Sequence, residues 1–252
     1  MREAGTGTLF NYIAAAGLIL ITTISCTNNT QDITCEKCKS EYDDIQCGWY
    51  PECGADFLGE EAIILPEPSN LSPMDVKGIS VPGIDYWELR FFQGNDSEER
   101  GHLVFSVGEL CEGDYAREPC IAEYDKLRPE EPSASLCSPG LCYYYIIAIK
   151  EGKPVQIGNV GEFFAPIDSP AEIAILLASH GYRWHCQTEN KSPDRNCWGY
   201  KSNADHWEVA ACFRVSSCGP MVIERRKLSI DKDGSIDILE CHPCNIECHT
   251  CS

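Results

Sequence analysis

Apolar residues recur with period two in several segments and with helical spacing in one, a pattern that predicts β-hairpins around one well-marked helix. Ile84-Asp85-Tyr86-Trp87-Glu88-Leu89-Arg90-Phe91-Phe92 is rich in aromatic and branched residues, breaks at Gln93-Gly94-Asn95-Asp96 and resumes as His102-Leu103-Val104-Phe105-Ser106-Val107. These read as two antiparallel strands with a long charged connection. A second hairpin runs through Leu141–Ile149, turns at Glu151-Gly152-Lys153 and returns through Val155-Gln156-Ile157. Its near-continuous apolar run predicts a central strand covered on both faces.

Ser169-Pro170-Ala171-Glu172 is a capping box with proline at the first helical position, and Gly181 supplies the stop. Ile173, Leu176, Leu177 and His180 share one face of that helix, which is expected to pack on the sheet. His180 then sits where the helix dipole favours a cation, with a ligand role beside His185 as the alternative. Farther on, Trp207, Val209, Ala211, Phe213 and Val215 alternate with Glu208, Ala210, Cys212 and Arg214, the period of a half-buried strand. A turn at 216–220 leads to a strand over Val222–Ile230, which reverses at Asp231-Lys232-Asp233-Gly234 into Ser235–Leu239. The expected fold class is α+β: mainly antiparallel β-hairpins with one well-capped helix at about 169–181, cross-linked by many disulfides. No internal repeat of fixed period is present.

The divisions expected from composition are a signal segment over 1–25, a Cys-rich acidic tether over 26–70 and a β-rich region over 71–158. An α+β region over 159–240 and a Cys/His tail over 241–252 complete the chain. In the tether, Cys35, Cys38, Cys47 and Cys53 lie among acidic residues and turn formers, which predicts local stapling rather than an apolar core. Cys111, Cys120 and Cys137 fall in Pro- and Glu-rich segments read as loops.

Cysteine usage sets the compartment. The chain holds 17 cysteines, and the first, Cys26, closes the apolar run that follows Arg2; setting it aside leaves an even number able to pair. That count fits an oxidising envelope or exterior and not a reducing cytosol. The run from Leu9 to Ile24 has the length of a signal-peptide core and is short for a spanning helix. Its end, Thr23-Ile24-Ser25-Cys26, resembles the lipobox of bacterial lipoproteins, departing from it where Thr23 stands in place of Leu. The resemblance implies lipidation at Cys26, a membrane anchor through that lipid and, because Thr27 rather than Asp follows, an outer-membrane destination. An ordinary cleaved signal, or secretion with glycans on Asn28, Asn70, Asn95 and Asn190, is the alternative.

A mature chain of this length builds a core without disulfides, so a large set of bridges, each contributing about 2–4 kcal/mol, implies durability. The formal net charge of −19 disfavours nucleic acid and anionic lipid headgroups as partners. The partner expected instead is an envelope or extracellular protein or glycan.

Two segments carry candidate metal chemistry, and no resident cofactor is otherwise expected. The stretch 229–240 resembles the EF-hand loop, with Asp231, Asp233, Ser235, Asp237 and Glu240 at ligand positions for calcium. It departs at Ser229, where the motif has Asp; a type I turn with a Gly bulge explains the same letters without metal. The tail gathers Cys241, His242, Cys244, Cys248, His249 and Cys251, soft ligands suited to zinc or copper. Disulfides within the tail, or to Cys35 and Cys38, compete with that reading. Cys241-His242-Pro243-Cys244 also has the look of a thiol-redox motif but lacks room for the helix that would stabilise a thiolate. Lys39, Asn245 and Ser252 stand where haem attachment needs His. No hydrolase or phosphate-loop motif is present, and the chain is read as a binding or scaffolding protein and not an enzyme. Tyr143, Tyr144 and Tyr145 are either a binding face or alternating core residues.

Overall fold

The structure, a computed structural model, describes residues 48–49, 58–93, 100–128, 136–137, 140–183, 198–215 and 221–247. The signal segment, Cys26 and the tail residues Cys248, His249 and Cys251 lie outside the described residues. In chain order come strand β1 (Gly48–Trp49), strand β2 (Ile63–Ile64), a 3-10 turn at Pro68–Asn70 and helix α1 (Pro73–Lys77). Strands β3 (Ile84–Gln93) and β4 (His102–Gly108), helix α2 (Arg117–Lys126) and strands β5 (Leu136–Cys137), β6 (Gly140–Lys150) and β7 (Lys153–Gln156) follow. The chain then forms helices α3 (Val160–Phe164) and α4 (Pro170–Ser179) and strands β8 (Tyr182–Arg183), β9 (Gly199–Ser202), β10 (His206–Val215), β11 (Met221–Asp231) and β12 (Ile236–Glu247).

All strand pairings are antiparallel and form two sheets. One has the order β4-β3-β6-β5 with β7 also on β6; the other runs β1-β12-β11-β10-β9-β2 with β8 also on β10. The β-rich α+β class and the hairpins β3–β4, β6–β7 and β11–β12 match the sequence pattern. Strand β6 is central, and its alternate residues serve two separate cores: Ile146 and Ala148 on one side, Tyr143, Tyr145, Ile147 and Ile149 on the other.

Helix α4 departs from expectation in a way that organises the molecule. The capping box forms, with Ser169 Oγ accepting from Glu172 N at 3.2 Å and Glu172 Oε2 accepting from Ser169 N at 2.8 Å. Yet every residue from Ala171 to Ala178 is buried, not one face. The helix lies between the two sheets, in one apolar cluster with Trp87, Leu89, Ile146 and Ala148 of the first and Val209, Ala211, Leu228 and Ile230 of the second. A run of Ile, Leu and Ala without polar interruption is what a helix enclosed by two sheets requires. The regions 71–158 and 159–240 therefore contribute to one shared core. Leu65, in the stretch expected to lack a core, is also fully buried in it.

Three further departures concern local segments. Cys120 lies in α2, an unexpected helix in which Pro119 stands in the first turn, where proline is tolerated. Strand β10 is covered on both faces, since Ala210 and Cys212 are as buried as Val209 and Ala211. The residues 241–247 are no loose tail but the second half of β12, against which β1 pairs with Gly48 opposite Ile246. Gly48–Trp49 and Asn245–Ile246, far apart in sequence, are thereby paired in one sheet.

The hairpin between β11 and β12 has the expected turn: Gly234 N donates to Asp231 O at 3.0 Å, with Gly234 at φ +83°. Its tip rests on α3 with no room for a side chain. A Cβ placed on Gly161 would lie 2.6 Å from the Gly234 carbonyl oxygen, a backbone atom that cannot swing aside. Alanine favours a helix over glycine by up to about 1 kcal/mol, but forced overpacking costs about 1–3 kcal/mol, so Gly161→Ala is expected to lower stability. Thermal unfolding of the variant at or above the wild-type midpoint would refute this contact.

Candidate functional site

The richest polar cluster was not anticipated and lies on the face of β3 turned away from α4. Strand alternation puts Tyr86, Glu88 and Arg90 on that face, and α2 covers them with Tyr124. Glu88 is 1% exposed. Its Oε1 accepts from Arg90 Nε at 2.6 Å and from the Tyr124 hydroxyl at 2.8 Å, while Oε2 accepts from the Tyr86 hydroxyl at 2.5 Å. Arg90 also donates to the carbonyls of Arg100 (3.2 Å) and Gly101 (2.9 Å). Arg100 donates to Tyr124 O at 3.0 Å and stacks over the Tyr124 ring, and the Tyr145 hydroxyl donates to Arg100 O. The disulfide Cys111–Cys120, each half 1% exposed, ties the segment before α2 to the helix itself.

Electrostatics keep the tyrosines and the arginine of this cluster in one protonation state. Burial, reinforced by the Glu88 hydrogen bond and charge, pushes the Tyr86 hydroxyl far above the ordinary range; Tyr124 is raised by burial and Glu88, and Tyr145 by burial. All three phenols stay protonated as donors. Burial pulls the Arg90 guanidinium down, but Glu88 pulls it up by more, so it stays charged. Both carboxylate oxygens of Glu88 are committed to donors. The cluster is suited to clamp α2 onto the sheet rather than to move a proton.

A smaller ion pair sits on the inner face of the other sheet. Arg226 donates to Glu224 Oε2 at 2.7–2.8 Å, and its guanidinium lies 3.9 Å from the Phe213 ring centre. Both charged residues are almost fully buried.

The residues expected to bind calcium fall on the β11–β12 hairpin. Asp233 Oδ1 accepts from Ser235 N at 2.9 Å, an arrangement that closes the turn and holds the Asp233 carboxyl below its ordinary range. Asp231 ends β11, whereas Asp237 and Glu240 pair along β12 with Ser229 and Lys227. Extended geometry carries Glu240 roughly 15 Å beyond Ser235, too far to join a ligand sphere of 2.3–2.6 Å radius. The five residues therefore do not converge as an EF-hand loop would bring them, because strands replace the flanking helices. Lys232, inside the same turn, donates to Ile167 O and Asp168 Oδ1, each at 3.0 Å, and lies over Trp207. This turn is a latch onto the segment before α4.

The tail residues are likewise spread along a strand. Cys241 is buried and already in a disulfide, so it has no thiolate to offer zinc or copper. His242 is half-buried opposite Arg225, and Cys244 lies at an irregularity in β12. Among the described residues no group of three or more His, Cys, Asp or Glu side chains is arranged to hold a metal ion. Cys241 and Cys244 stand on a strand, not at the helix start that thiol-redox chemistry uses. His180 caps α4, its Nδ1 lying 2.9 Å from Leu176 O, and His185 lies outside the described residues. Tyr143 and Tyr145 are core residues. Tyr144 packs on Phe91 at 4.8 Å, its hydroxyl pushed up to about 12 by burial and by the charge of Glu67.

The spacing Tyr86-x-Glu88-x-Arg90 was open to reading as one polar face within an apolar strand. Tyr124 was not, because Pro119, Glu118 and Glu123 disguise α2 as loop. No family model, curated protein or solved structure matches the chain.

Proposed function

We propose that this chain is an exported cell-envelope protein, anchored through a lipid on Cys26, whose disulfide-stabilised ectodomain binds or scaffolds a partner rather than catalysing a reaction. One observation carries the reading: Cys111, Cys120, Cys142, Cys212 and Cys241 are all in disulfides, and all are buried. Sulfurs cross-linked in the core belong to a chain that folds in an oxidising compartment. The Glu88 cluster supports the non-catalytic half of the proposal, since its polar atoms are spent on one another. No helix among the described residues is long and apolar enough to cross a membrane.

Intact-mass measurement of protein purified from its native source tests both halves. The expected product begins at Cys26, carries the mass of acyl chains and, denatured without reductant, takes up no alkylating reagent. Extensive alkylation before reduction would overturn the proposed compartment. A mature chain that starts elsewhere, or lacks the acyl mass, would remove the anchor.

A further inference from the structure

Strand β4 ends the first sheet on one side. It pairs with β3, and among the described residues no strand lies along its other edge. The remaining outer strands, β1, β2, β5, β7 and β8, are two to four residues long, and β7 carries Lys153 and Pro154; short strands, lysine and proline all blunt an edge against pairing. By contrast β4 has seven residues, His102-Leu103-Val104-Phe105-Ser106-Val107-Gly108, with no proline, lysine or acid among them. Leu103, opposite Arg90 and so on the α2 side, is 50% exposed, which shows that α2 does not overhang this edge. Phe105 and Val107, opposite Leu89 and Trp87, keep part of their surface exposed on the other side. The bulge at Val104 leaves Phe105–Gly108 in regular register.

We propose that β4 is a docking edge for a second copy of this chain, the two strands pairing antiparallel about a two-fold axis within Phe105–Gly108 and joining two five-stranded sheets into one. An unpaired backbone edge offers hydrogen bonds to any extended strand, so its surroundings select the occupant. The formal net charge of −19 sets two copies against each other over most of their surface, whereas β4 brings no acid to the contact. Charge order then favours the antiparallel arrangement. Arg100 precedes the strand and Glu109 and Glu112 follow it, so a two-fold axis brings the basic end of each copy toward the acidic end of the other, while parallel pairing sets like beside like. Arg100 keeps its bond to Tyr124 O and its ion pair with Asp125, because attraction at this range needs no new contact. At the far end, the hydrogen bond and charge of Glu109 hold the Glu112 carboxyl above its ordinary range, so an approaching cation is favoured there. Each copy contributes the same strand to such a contact and thereby uses up its free edge, which closes the assembly at a dimer.

Dimerisation through β4 goes beyond the proposed binding role and does not depend on the lipid anchor. Sedimentation equilibrium of the full chain from its native source, with disulfides intact and in density-matched detergent, is expected to show monomer and dimer exchanging between about 1 and 100 μM. Hydrogen exchange at the two ends of that range is expected to slow within Leu103–Gly108 as the dimer forms. Leu103→Glu sets a carboxylate opposite Arg90 in its own chain but near the acidic end of the second copy, and is expected to weaken the dimer about tenfold or more. Met74→Glu, at an 84% exposed site on α1, is expected to leave it unchanged. Should Leu103→Glu not fold, the exchange pattern of the wild type decides alone. A chain that stays monomeric throughout that range, slowed amides that lie outside β4, or a Leu103→Glu dimer as tight as wild type would each overturn the proposal.

Discussion

Glu88→Ala is expected to lower stability by about 3–5 kcal/mol, because it strands Arg90 and leaves two tyrosine hydroxyls without their acceptor inside the protein. The wild-type carboxylate is 1% exposed and accepts from three side-chain donors across β3 and α2. Glu88→Gln keeps an acceptor oxygen while losing the charge, and should fall between the alanine variant and wild type. Replacing both charges, as in Glu88→Leu/Arg90→Leu, is expected to cost less than Glu88→Ala, since no unpaired guanidinium remains. Urea unfolding of the three proteins with disulfides intact gives the order directly. An alanine variant within about 0.5 kcal/mol of wild type would show that the cluster contributes little, as surface ion pairs do.

Ile175→Ala is expected to cost about 2–5 kcal/mol, as much as Leu176→Ala about 100° farther around α4. The two residues are each fully buried, though only Leu176 lies on the face marked by Ile173, Leu177 and His180. A helix lying on a single sheet would tolerate Ile175→Ala at a cost of about 0.5 kcal/mol, the range of surface substitutions. Equal losses at positions 175 and 176, read from denaturant midpoints, are the signature of enclosure by two sheets. A mild loss at 175 beside a large one at 176 would return the helix to an edge of the core.

How far the chain was legible in advance follows from which forces act locally. The hairpins β3–β4, β6–β7 and β11–β12 and the start of α4 are set by alternation, turn chemistry and a capping box, all within a few residues of one another. Strand β6 announced its double burial through an unbroken apolar run. Helix α2 did not announce itself, since its cap, Ala116, makes no side-chain bond and few of its residues are apolar. It is held by Tyr124 reaching Glu88, 36 residues away in sequence, and by the disulfide from Cys120 to Cys111. The EF-hand-like letters at 229–240 misled because ligand spacing is meaningful only between helices, and here both flanks are strands.

By itself, the amino-acid order determined the local elements and the density of sulfur, because periodicity, caps and turns depend on near neighbours. Only the tertiary structure decided that α4 lies between two sheets, that residues 241–247 are a strand pairing with β1, and that Glu88, Arg90 and Tyr124 meet. These are contacts between distant residues, and each depends on how whole elements pack, which no local pattern encodes.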